Sequence, residues 1–121
     1  MSRRILVLDV PAPCDWINAN HRPHPLAKAR LTRQWREAGH AAVPPGTQPF
    51  PGRVRVLAKI YKPRRGIYDP NNLNGTTKAI LDGVVDAGLL PDDSFVYVDG
   101  PDHRHGGIGQ PRVVFEIEEL P

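Results

Sequence analysis

From Asn71 to Leu89 the apolar residues Leu73, Ile80, Leu81, Val84, Val85 and Leu89 recur close to every third or fourth position, the stripe that one face of a 3.6-residue helix turns toward a core. The spacing predicts a helix over residues ~73 to ~87. Asn71, Asn72 and Asn74 suit its N-terminus, because a short side-chain acceptor satisfies an orphan backbone N–H, and Gly88 stands where a left-handed residue closes a helix. Pro70 biases Asp69 toward an extended conformation, which places it in the segment feeding the helix. Beyond the helix come Pro91, Asp92 and Asp93, then Phe95 to Asp99, a run suited to a strand.

The polar residues of this stretch carry chemistry. Asp69, Asn71, Asp82, Asp92 and Asp93 fall within 25 positions, and all offer the hard oxygen donors that hold Mg²⁺ or Mn²⁺. Lys78 and Asp82, four apart, share a helix face. A helix of ~15 residues is ~22 Å long, so Asp69 and Asp93 meet only if neighbouring strands bring them together.

Around this centre, Ile5 to Val10 reads as a strand, apolar on both sides apart from Asp9 as in an internal strand, and ended by Pro11 and Pro13. A loop of ~15 residues follows, long for so small a chain. It contains Asn18, Asn20, His21, Arg22 and His24, side chains able to donate to phosphate oxygens or stack on bases; it serves equally as a connector with Trp16 and Ile17 plugging the core. Leu26 to Ala38 reads as a helix opened by Pro25 and closed by Gly39, apolar at Ala27, Leu31, Trp35 and Ala38 and basic at Lys28, Arg30, Arg33 and Arg36. That basic side either follows a phosphate backbone or is simply solvated. His40 to Gly52, with four prolines, reads as an irregular connector.

Arg53 to Lys62 alternates, with Val54, Val56, Ala58 and Ile60 inward and Arg53, Arg55 and Lys59 outward. It runs through Arg64 and Arg65, candidates for phosphate contacts, directly into Asp69. The stretch GPDHRHGGIGQP reads as a glycine-rich loop in which Asp102, His103 and His105 lack a regular metal-ligand spacing. No GxGxxG or Walker arrangement occurs, which disfavours a nucleotide cofactor. Arg112 to Glu118 supplies a last strand with Val113, Phe115 and Ile117 inward. Residues 1–121 thus predict a single α+β domain, a small mixed sheet of about four strands with two helices.

Charge and cysteine usage narrow the function. Thirteen of the 16 Lys and Arg lie in residues 1–65 against three acids, whereas ten of the 13 Asp and Glu follow, against three bases, giving +10 and −7. A basic surface beside a carboxylate cluster suits a protein that holds a polyanion against a metal ion; mutual pairing of the two halves is the competing explanation. Cys14 is alone, which excludes an internal disulfide and zinc sites built on cysteine pairs. With no 18-residue apolar run and no signal peptide, a cytoplasmic protein without a membrane partner is expected.

The run YDPNNL followed by KAILDGVVDAGLLPDDSFV resembles the RusA-like family of crossover-junction (Holliday junction) endodeoxyribonucleases, often carried by phages and prophages. The family pattern is Asp-x-Asp-Asn-Leu, a Lys-x-x-x-Asp helix, a Gly before a short loop, and an Asp-Asp pair before a hydrophobic strand. The likeness is specific from about residue 64 to 98 and loose elsewhere, although the early hydrophobic strand, Asn-containing proline-rich loop and basic helix also fit. It implies a homodimeric, Mg²⁺-dependent nuclease that recognises and nicks branched DNA in recombination and repair. By position, Asp69 and Asp93 would be metal-binding catalytic carboxylates and Lys78 the positive group near the scissile phosphate, with Asp82 and Asp92 on the helix aspartate and the first member of the pair. Asn71 stands where many members have a second aspartate, and two extra residues within Asn74 to Thr77 precede the lysine. Two other classes fit parts of the chain: a branched- or double-stranded-DNA binding protein without catalysis, and a metal-dependent hydrolase of a small phosphorylated substrate, which leaves the basic strand and helix unused.

Overall fold

The computed structural model describes residues 3–121. Its elements follow in the order β1 (Ile5–Pro11), α1 (Pro25–Ala42), β2 (Val54–Lys62), a 3₁₀ turn (Pro70–Leu73), α2 (Asn74–Asp86), β3 (Val98–Ile108) and β4 (Arg112–Glu119). The fold is α+β, with one mixed four-stranded sheet in the order β1-β4-β2-β3. β4 lies antiparallel to both β1 and β2, while β3 runs parallel to β2 after the chain has crossed through α2.

Alternation decides the core. Leu8 and Val10, Val54, Val56, Ala58 and Ile60, and Val113, Phe115 and Ile117 are buried with Trp35, Leu73, Ile80, Leu81 and Val84 of the helices. The strand predicted as internal from its two apolar faces is instead an edge strand: among the described residues β1 pairs only with β4, and Ile5 and Val7 project into solvent. Only every second side chain of β1 reaches the helix-covered face of the sheet, so apolar residues on both sides do not make it central.

α1 continues four residues beyond the predicted Ala38, because Gly39 is a packing residue rather than a stop. A β-carbon on Gly39 would lie 2.4 Å from the Ile80 carbonyl oxygen, and one on Gly83 would lie 2.0 Å from the Arg36 carbonyl oxygen. Each glycine lets the other helix's backbone approach, and the two helices pack more closely than side chains would allow.

β3 departs further from expectation. Phe95 to Tyr97 form a turn, the strand begins at Val98, and the glycine-rich segment read as a loop is paired through Ile108. Register shifts interrupt the pairing between Arg55 and Leu57 and between Ile60 and Tyr61, and opposite them lie Gly100 (φ 109°) and Gly107 (φ 143°). Those conformations are bulge geometry that glycine adopts without strain. The glycines bend the strand instead of ending it.

Candidate nucleic-acid and metal site

The 3₁₀ turn and α2 carry the residues singled out above. Asp69 caps the turn, its Oδ1 accepting from the Asn71 N–H at 2.9 Å, and Pro70 occupies the first position, where no N–H is needed. Thr76 and Thr77, both buried, then tie α2 to its surroundings. Thr76 Oγ1 accepts from the Ile17 N–H at 2.8 Å and donates to the Ile17 carbonyl at 3.1 Å, which fastens the long loop to the helix start. Thr77 Oγ1 lies 2.7 Å from His103 Nε2 on β3.

Directly after Thr77, Lys78 Nζ donates to Asp82 Oδ1 at 2.5 Å and also to Asp93 Oδ2. Two carboxylates from different elements thus converge on one ammonium. Partial burial works against the charged lysine, but the hydrogen bonds and charges of Asp82 and Asp93 outweigh it and hold its pKa above the ordinary value. The Lys78 hydrogen bond in turn holds Asp93 below the usual carboxylate range against an opposing desolvation. Asp92 Oδ1 accepts from the Asp93 N–H at 2.8 Å and so orders the turn that presents Asp93.

Of the five oxygen donors predicted for a metal, the structure brings Asp82 and Asp93 together with Asp92 beside them. Asp69 and Asn71 remain at the 3₁₀ turn and, among the described residues, make no hydrogen bond to the Lys78 group. The charge of Asp69 reaches His103 instead. No three His, Cys, Asp or Glu side chains gather in a metal-holding arrangement among the described residues. The donor set still suits a hard cation, and the Lys78 ammonium is a cation standing between two of its carboxylates.

His103 and His105, set aside in the sequence for want of a regular metal-ligand spacing, instead position the segment around Asp69. Both come from β3, two residues apart. His103 holds Thr77, and His105 Nδ1 lies 2.6 Å from the Tyr68 hydroxyl, so the two histidines grip the chain on either side of Asp69. Burial pushes His103 below its ordinary pKa and raises that of Tyr68. Lys62 Nζ sits 4.1 Å from the Tyr68 ring centroid, adding a cation–π contact to the same tyrosine. A period-two pattern in Asp102-His103-Arg104-His105 was the available signal, masked by the surrounding glycines.

The basic residues divide into two groups. Arg36 of α1 pairs with Asp86 at 2.6 Å, and Arg55 and Lys59 of β2 pair with Asp99 at 3.5 Å and Glu116 at 3.0 Å, so the later, acidic half neutralises part of α1 and the outer face of β2. Arg22, Arg30, Arg33, Arg64 and Arg65 are exposed and form no ion pair among the described residues. Arg22 lines a hollow with Asn18, Lys28 and Asn74 at the start of α2, while Arg64 and Arg65 line another with Lys62 and Tyr68. Asn18 spends its side-chain oxygen on the Asn20 N–H at 2.8 Å, which shapes the loop, and Asn20 is exposed. No helix among the described residues is long and apolar enough to cross a membrane.

Neither known protein-family models nor curated protein sequences match this chain.

Proposed function

We propose that this protein is a divalent-metal-dependent, structure-selective endodeoxyribonuclease of the RusA-like kind, which binds and nicks branched DNA such as four-way junctions, acts as a homodimer and works in the cytoplasm. The observation that carries the proposal is the convergence of Asp82 and Asp93 on Lys78, across 15 positions of sequence, in a chain that also exposes arginines without carboxylate partners among the described residues.

Asp82 and Asp93 would hold Mg²⁺ or Mn²⁺, while Asp69 and the Asn71 side-chain carbonyl offer oxygen donors at the 3₁₀ turn, outside the Lys78 group. When bound, such an ion activates water and neutralises charge on the departing oxygen. Lys78, freed from a carboxylate, offers its ammonium to the phosphate as negative charge builds there. Arg64, Arg65 and Arg22, on either side of the Asp69 turn, seat the sugar-phosphate strand. His103 and His105 keep the Asp69 segment in place through Thr77 and Tyr68.

A second reading, a branched-DNA binding protein without catalysis, draws support from Asn71, which brings no negative charge, and from Asp69 lying outside the Lys78 group. Binding and nicking of a synthetic four-way junction, first in EDTA and then with Mg²⁺ or Mn²⁺ restored, separate the two. The nuclease nicks once metal is added. Retained binding with intact strands in both metals favours the binding protein.

A further inference from the structure

We propose that Phe95 is a base-stacking wedge whose ring takes the face of a nucleobase left unstacked at the branch point of the DNA. This inference rests on the nuclease reading and adds to it the substrate feature that is recognised. Phe95 is 82 % exposed and its neighbour Val96 55 % exposed. The ordered turn leaves this apolar pair in water beside the candidate site, with an aromatic face free to stack.

The turn is well anchored. The Ser94 carbonyl accepts from the N–H groups of Tyr97 at 3.0 Å and Val98 at 2.9 Å, and Arg53 Nε donates to the Phe95 carbonyl at 3.3 Å. Asp93, two residues earlier, is held by Lys78. The ring is therefore presented from a fixed mount, within ~7 Å of chain from a carboxylate of the candidate site.

A phenyl face accepts any base, and stacking on it is tolerant of sequence. Inside a continuous duplex both faces of every base are already covered, so engaging Phe95 there requires unstacking a step. At a branch point that cost is reduced, and preference for branched over linear DNA follows from the ring alone. A second copy of this chain is the other conceivable occupant, and the sedimentation control below separates it from a nucleobase.

The test measures binding of the full chain to a fluorescent four-way junction and to a linear duplex of equal length, in Ca²⁺ or EDTA, for wild type, Phe95→Ala and Phe95→Trp, with thermal melting and sedimentation as controls. Phe95→Ala is expected to lose about 10- to 100-fold in junction affinity while keeping duplex affinity, and Phe95→Trp to restore it. 2-Aminopurine at the branch point should change its emission on adding wild type and not on adding Phe95→Ala. Unchanged junction preference in Phe95→Ala overturns the wedge and leaves the nuclease reading intact, and so does an equal loss on both DNAs accompanied by dissociation of a dimer. A wild type with no junction preference, and no nicking in Mg²⁺, removes the underlying function as well.

Discussion

Lys78, in the second turn of α2, donates to the carboxylate of Asp93, 15 positions later in the turn before β3, and the same ammonium holds Asp82 one helical turn on. Two acidic groups that would otherwise repel are kept together by one basic group. A protein that must offer paired carboxylates to a metal ion needs such a device while the ion is absent.

If the proposed function holds, Lys78 competes with the metal for these carboxylates. Lys78→Met is expected to tighten Mn²⁺ binding about ten-fold, because an opposing unit charge a few ångströms away is removed, while cleavage falls. Electron paramagnetic resonance of free Mn²⁺ during titration measures the first effect. Unchanged or weaker affinity in Lys78→Met contradicts the competition.

The helix crossing gives a stability prediction independent of function. Gly39→Ala and Gly83→Ala each force a methyl into a backbone carbonyl of the other helix, an overpacking worth about 3 kcal/mol or more. For a domain of this size the melting temperature should fall by roughly 10 °C or more, as followed by circular dichroism. A fall of a degree or two means that the helices do not pack backbone to backbone at these glycines.

His103 predicts a response to acid. Burial lowers its pKa, Arg104 acts in the same direction, and the charges of Asp102 and Asp69 oppose them. The folded state thus binds fewer protons than the unfolded chain as pH falls through the ordinary histidine value of about 6.5, and stability is lost in that window. Melting curves at pH 7.5 and 5.5 should show a smaller acid loss for His103→Gln than for wild type. An identical loss in both proteins assigns the acid sensitivity elsewhere.

The split among basic residues predicts which ones grip DNA. Arg64→Gln and Arg65→Gln should weaken binding to all DNAs alike and each reduce the slope of log affinity against log salt by about 1. Arg55→Gln, which removes a residue already paired with Asp99, should change the slope much less. Fluorescence anisotropy from about 50 to 200 mM salt provides the comparison.

The sequence disclosed what depends on periodicity. Leu73, Ile80, Leu81 and Val84 located α2 to within a residue or so, and the alternation from Val54 to Ile60 located β2 and its inward face. Features that depend on distant partners were hidden. Gly39 resembles a helix stop until the backbone of Ile80 is beside it, and Gly100 and Gly107 resemble loop residues until β2 pairs with them across two bulges. Within the candidate site, the helix spacing joined Lys78 to Asp82, but nothing local indicated that Asp93 would fold back onto the same ammonium or that β3 histidines would hold Thr77 and Tyr68.

The most direct measurement is nicking of a synthetic four-way junction in Mg²⁺ by wild type and Asp93→Asn at matched junction binding. Wild type should cut, and Asp93→Asn should cut about 100-fold more slowly or not at all while still binding. Equal cutting by the two proteins would contradict the assignment of Asp93, and with it the site built on Lys78.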